Sequence, residues 1–165
     1  IARNTVQSLP SEKNLLSKTV KDLVESLEAV SVGKGIQINI QPDVSEQPRW
    51  LYPSMTQMVL GNILRNALNY SQGSQIDIIQ QKNSLIIADN GIGISLPNDV
   101  KVQELSDSQL SLKAKGHGIG LQLVQKLCKQ LGWRVELFDR QYYLTTHPEL
   151  DLEPTTGLIV VVYLS

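Results

Sequence analysis

The sequence predicts an α/β sandwich, with three main helices packed on one face of a mixed, mostly antiparallel sheet of about five strands. Three observations lead there. Stretches with apolar residues at helical spacing alternate with short strand-like runs. Glycine-rich and polar turns separate the pieces. The last run, Gly157 to Leu164, is nearly all apolar, as expected of a strand inside a sheet. With 165 residues and 41% hydrophobic content, the chain can bury a core of its own as one domain.

Residues 1–12 are polar, contain Pro10, and read as a linker or the tail of a preceding element. Leu15, Leu16, Val20, Leu23, Val24, Leu27 and Val30 then recur at helical spacing, so the first helix is expected from Glu12 or Lys13 to about Ala29. Gly33 and Gly35 end it, and the strict alternation of Ile36-Gln37-Ile38-Asn39-Ile40 predicts a half-buried strand. A second helix is expected near Ser54 as N-cap, carrying Met55, Met58, Val59, Ile63, Leu64, Ala67 and Leu68 inward. After Ser71-Gln72-Gly73-Ser74, two strands from Gln75 to Ile79 and from Ser84 to Ala88 flank a polar hairpin at Gln81-Lys82-Asn83. Leu96 to Lys115 is polar and aperiodic, and reads as a lid. Gly118 to Leu131 predicts the third helix with Gly132 as its C-terminal cap, and Trp133 to Phe138 another strand. Arg140 to Thr156 reads as a polar excursion before the final strand.

The formal net charge of −1 and the scattered basic residues argue against a nucleic-acid partner. The single cysteine, Cys128, excludes an internal disulfide and sits beside Val124, Leu127 and Leu131 on an apolar helix face, where core packing is expected. No apolar run approaches the roughly twenty residues of a membrane span, and the N-terminal residues lack a signal-peptide pattern. No membrane contact by this segment is expected.

No Gly-x-x-x-x-Gly-Lys-Ser/Thr run occurs, so phosphates would not be held by a P-loop. Other residues suit a nucleotide. Asn66, polar among apolar neighbours, is either a hydrogen-bonding helix residue or a hard amide ligand for Mg2+. Asp89 is either a turn former in Asp-Asn-Gly or an acceptor for the exocyclic amine of adenine, with Gly91 and Gly93 letting the backbone approach the ring. Guanine would set an oxygen acceptor against the carboxylate, so ATP is expected over GTP. Gly116-His117-Gly118-Ile119-Gly120-Leu121 opens a helix whose free N–H groups suit phosphates, though such a turn alone is a weak signal. Lys113 and Lys115 are either solvated lid charges or phosphate ligands. His147 reads as exposed, and His117 has no neighbouring carboxylate of the kind a catalytic imidazole needs.

In combination these pieces resemble a known family. Asn62-x-x-x-Asn66-Ala67-x-x-Tyr70-Ser71 looks like the N box, Asp89-x-Gly91-x-Gly93 like the G1 box, and Gly116-x-Gly118-Ile119-Gly120-Leu121 like the G2 box of the GHKL ATPase and kinase superfamily. The strongest similarity is to the catalytic, ATP-binding domain of bacterial two-component sensor histidine kinases, from about residue 13 to the C-terminus. The resemblance implies the Bergerat fold over 13–165, with 1–12 as linker or tail of a dimerisation domain. It implies ATP and Mg2+ as cofactors, Asn66 as metal ligand, and Asn66 and Lys115 as catalytic. It extends the nucleotide contacts to Asn62, Asn69, Tyr70, Asp89, Gly91, Gly93, Ile94, Lys113, Lys115 and the run Gly116 to Leu121. The implied activity is transfer of the γ-phosphoryl group to a histidine on a separate helical phosphoacceptor domain, with a response regulator downstream and a cytoplasmic location beneath an inner-membrane sensor.

Hydrolysing relatives carry a glutamate where this chain has Asn62, and an amide cannot take a proton from water, so retention of ATP for transfer is expected. The alternatives are a hydrolysing ATPase and a regulatory docking module. Three positions depart from the family pattern: Asn69 stands where a basic residue is common, Leu158 where a threonine follows the last box glycine, and no phenylalanine occurs between Leu96 and Lys115.

Overall fold

The computed structural model describes residues 11–93 and 120–164. Within them the order is β1 (Glu12–Asn14), α1 (Leu16–Ser26), α2 (Glu28–Gly33), β2 (Gln37–Gln41), β3 (Arg49–Leu51), α3 (Pro53–Tyr70), β4 (Gln75–Gln80), β5 (Ser84–Asp89), α4 (Gly120–Leu131), β6 (Arg134–Asp139), α5 (Arg140–Thr146) and β7 (Leu158–Tyr163). Five strands form the main sheet in the order β2-β4-β5-β7-β6, and β1 pairs with β3 in a separate two-stranded ribbon. Only the β2–β4 pair is parallel, and it is the pair whose strands are joined through a helical crossover, α3. The other three pairs are antiparallel.

Alternation along the central strands assigns the two faces. Ile76, Ile78, Leu85, Ile87, Leu158, Val160 and Val162 point into one core with Val20, Leu23, Val59, Ile63, Leu64, Val124 and Cys128 from α1, α3 and α4. Ile79, Ile86, Ala88, Ile159 and Val161 point the other way, beneath Tyr143 and Leu144 of α5 and Leu150. This double burial explains the all-apolar run of β7, which lies between β5 and β6. The predicted α/β sandwich is therefore the fold, with three main helices on one face. Cys128 is 1% exposed and packs in the core as expected.

Several boundaries differ from expectation. Glu12 to Asn14 form a strand rather than the start of the first helix, and the helix divides at Leu27 into α1 and α2. Propensity missed this because a partner distant in sequence decides it: Glu46 accepts the N–H groups of Leu16 at 2.8 Å and Ser17 at 3.2 Å, capping α1 from across the chain. Ser54 is not the cap of α3. That helix starts with Pro53 at its first position after Tyr52, where a missing N–H costs nothing. The expected polar excursion contains α5, capped by the Asp139 carboxylate accepting from Tyr142 N–H at 3.0 Å. His147, expected to be exposed, is half-buried and stacks on Tyr143 with ring centroids 3.9 Å apart. Gly132 has the left-handed φ of +74° expected after a helix. Among the described residues no helix is long and apolar enough to cross a membrane.

Candidate nucleotide site

Asp89 ends β5 with its side chain on the face of Leu85 and Ile87, towards the three large helices. It is only 3% exposed. Its Oδ1 accepts the N–H of Gly91 at 2.9 Å and the N–H of Leu158 at 3.2 Å. Among the described residues two main-chain donors thus orient one carboxylate oxygen, one from the turn after β5 and one from the first residue of β7. Such bonds to an ionised acceptor are about twice as strong as neutral ones. The side chain of Leu158 lies in the core at 4% exposure, so the position where the family carries a hydroxyl contributes here through its backbone.

The turn after Asp89 is fastened to the end of α3. Ile92 N–H donates to the Ser71 carbonyl at 2.7 Å. A Cβ at Gly91 would overlap that same carbonyl oxygen. Glycine at 91 is therefore required by the main chain of Ser71, which occupies the space a side chain would need. Gly93 has φ +72°, and a Cβ there would stand 3.0 Å from the carbonyl oxygen of Gly157. Asn90 completes the turn: its Oδ1 accepts the N–H groups of Ser74 and Gln75, both at 2.9 Å.

Asn66 lies on the inner side of α3 and is 8% exposed. Its Nδ2 is buried with no hydrogen-bond partner among the described residues. An orphaned buried donor costs folding about 1–3 kcal/mol, and as a donor it calls for an acceptor oxygen rather than a cation. Asn62, one turn earlier, is half-exposed and donates from Nδ2 to the Met58 carbonyl at 2.7 Å. Asn69 and Tyr70 lie exposed at the end of the helix. The spacing 62, 66, 69 and 70 keeps these four along one side of α3. Gly120 and Leu121 form the first turn of α4, which packs against α3. Ile94, Lys113, Lys115, Gly116, His117, Gly118, Ile119 and the expected lid lie outside the described residues.

The structure thus brings Asp89, Gly91 and Gly93 together with the C-terminal end of α3 and with Gly157 and Leu158. Among the described residues no cluster of three His, Cys, Asp or Glu could hold a metal. Sequence reasoning missed Arg140. It is 4% exposed, and its Nη1 donates to the Asp89 carbonyl at 3.0 Å. Burial pushes its guanidinium below its usual pKa, opposed by the carboxylates of Asp77, Asp89 and Glu153. No local pattern marks it, although Asp139 just before it is a legible helix cap. On the α5 side a cleft of about 540 Å³ is lined by Gln75, Asp77, Asn90, Arg140 and Glu153, among others.

The site thus combines a mixed five-stranded sheet under three helices, a fixed carboxylate at one strand end and a buried amide on α3. Residues 52–165 match the model of the histidine kinase-, DNA gyrase B-, and HSP90-like ATPase family, and the chain belongs to that family. It is 29% identical over 132 residues to the sensor protein QseC of Escherichia coli O157:H7, a match that covers 79% of this chain and 28% of QseC. It is 28% identical to the signal transduction histidine-protein kinase BarA of Escherichia coli K12, covering 84% of this chain and 17% of BarA. The chain thus spans between about a sixth and a quarter of these relatives. Among solved structures, the cytoplasmic segment of histidine kinase QseC superposes with a TM-score of 0.65 at 18% identity, covering 98% of this chain and 81% of that one. The catalytic domain of histidine kinase ThkA superposes with a TM-score of 0.65 at 15% identity, covering 94% of this chain and 97% of that one. The shared fold is that of histidine kinase catalytic domains.

Proposed function

We propose that this chain binds Mg-ATP and presents the γ-phosphoryl group to a histidine on a separate phosphoacceptor domain of a two-component kinase, with a response regulator receiving it downstream. The observations that support this reading are the Asp89 carboxylate, oriented by the main-chain N–H groups of Gly91 and Leu158, and the burial of the polar Asn66 on the inner side of α3. Asp89 accepts the adenine amine, which discriminates against guanine because two acceptors would then face each other. Asn66 supplies an amide oxygen to the metal. Magnesium, when bound, neutralises charge on the phosphate chain and orients it for transfer. Lys113, Lys115 and the run Gly116 to Leu121 complete the phosphate end in this reading, Lys115 contacting the transferred group and the N–H groups at the start of α4 meeting its neighbours.

Transfer is favoured over hydrolysis by the state of Asn62. Its amide already donates to the Met58 carbonyl, and an amide in that turn cannot activate water. Residues before 13 are assigned to the linker from a dimerisation domain, and the location to the cytoplasm beneath an inner-membrane sensor.

The test is calorimetric titration of ATP, ADP and GTP with and without Mg2+. ATP is expected to bind in preference to GTP, with Asp89→Asn losing roughly 2 kcal/mol, the size of a charge-assisted hydrogen bond. Equal affinity for ATP and GTP, or an Asp89→Asn variant that binds ATP as tightly as the parent, would remove the base-reading role.

A further inference from the structure

The short helix α5 covers the sheet face opposite the candidate site, yet its first residue reaches the main chain that builds that site. Arg140 makes three bonds there. Its backbone N–H donates to the Gly157 carbonyl at 3.0 Å, its Nη1 to the Asp89 carbonyl at 3.0 Å, and its Nε to the Glu153 carbonyl at 2.9 Å. Asp89 and Leu158, the residue after Gly157, are the carboxylate's own residue and one of the two N–H donors that orient it. The packing among them is close. A Cβ at Gly157, whose φ is +150°, would overlap the Asp89 carbonyl oxygen and stand 3.2 Å from Cδ of Arg140. A cation buried to 4% exposure is costly, and a side chain kept only to fill this space would be apolar.

We propose that Arg140 is a positioning residue for the nucleotide site: from behind the sheet it locks the main chain of Asp89 to that of Gly157 and so sets the direction of the Asp89 carboxylate. This rests on the reading of Asp89 as the adenine acceptor. The planar guanidinium spans two carbonyls from one side chain, which a lysine ammonium, with donors on one nitrogen, does not reproduce. Arg140 touches no nucleotide in this arrangement, so its effect passes wholly through Asp89.

Two measurements on the 165-residue chain test it. Without nucleotide, amide hydrogen exchange of Leu158 is compared between the parent and Arg140→Met, which keeps an unbranched chain but no donor. Leu158 is expected to lose tenfold or more of its protection while Val160 and Val162, further along β7, keep theirs; unchanged protection of Leu158 overturns the proposal. With ATP, Arg140→Met is expected to lower affinity about tenfold in the parent and to change nothing further in the Asp89→Asn background, because residues acting through one group are not additive. Additive losses in the two backgrounds overturn it. If the parent chain binds no ATP, the adenine reading of Asp89 falls, and the exchange of Leu158 still decides what Arg140 does. Should Arg140→Met fail to fold, Arg140→Lys carries both comparisons with the same deciding outcomes.

Discussion

Replacing Asn66 with alanine separates stability from function in one step. Asn66 is 8% exposed and its Nδ2 has no partner among the described residues, so the folded state carries a desolvated donor worth about 1–3 kcal/mol of lost stability. Asn also ranks up to about 0.7 kcal/mol below Ala as a helix former, and position 66 lies inside the 18-residue helix α3. Against these gains stands the lost packing of one short side chain, about 1 kcal/mol on the scale of a buried methylene. The net expectation for Asn66→Ala is therefore a gain of about 1 kcal/mol. With a urea slope of about 2 kcal/mol/M, the unfolding midpoint should rise by about half a molar unit. The same variant should lose the magnesium dependence of ATP binding, and with it the thermal stabilisation that Mg-ATP confers on the parent by mass action. The assays are urea unfolding followed by circular dichroism without ligand, and thermal unfolding with ATP and Mg2+. A drop of 1 kcal/mol or more without ligand would mean that the amide has a structural partner, and full magnesium dependence in the variant would move the metal off this residue.

Asp89→Ala should destabilise by about 2–4 kcal/mol, since it strands the buried N–H groups of Gly91 and Leu158, whereas Asp89→Asn keeps an acceptor and should cost less than half of that; urea midpoints compare the two. Gly91→Ala should lose about 2–4 kcal/mol by the same measure, because its Cβ meets the Ser71 carbonyl and displaces the Ile92 to Ser71 hydrogen bond, and an unchanged midpoint would contradict the close approach. Thr56→Val should stabilise by about 1 kcal/mol: Thr56 is 0% exposed and its Oγ1 has no partner among the described residues, so an apolar residue of the same shape removes a desolvated hydroxyl. Burial pushes the Cys128 thiol from 9.0 up to about 12 and the Tyr143 phenol from 10.0 up to about 12. Both groups hold their protons more tightly when folded, so their contribution is complete below about pH 9 and is lost as pH rises towards 12. Unfolding midpoints should fall across that window, and at pH 8.5 a thiol reagent should label Cys128 only at the rate of opening; labelling as fast as for a free thiol would refute its burial.

Much of the fold was legible in the residues. Helical spacing placed α3 and α4, alternation placed β2, and the all-apolar run after Gly157 placed β7 inside the sheet, because each signal lies within one segment and reports which faces it must bury. Asp89 at a strand end and Gly132 after a helix were also readable, since turn chemistry is local. The first helix was overextended because Glu46, some thirty residues away, caps α1 and leaves Glu12 to Asn14 free to pair with β3. Helix α5 was overlooked although Asp139 caps it, since its apolar side, Tyr143 and Leu144, is too short to show a period.

Residue type, spacing and the resemblance they carry raised Asp89, Gly91 and Asn66 as candidates from one dimension, because a ligand class constrains which side chains can serve it. Their structural surroundings come from contacts that no window along the chain contains. Gly91 is glycine because the end of α3 passes against it, Asp89 is aimed by an N–H sixty-nine residues later, and Arg140 holds that same residue from fifty-one residues away. Hydrogen bonds and steric overlap act over a few ångströms in space whatever the separation in sequence, and folding alone brings such partners within reach.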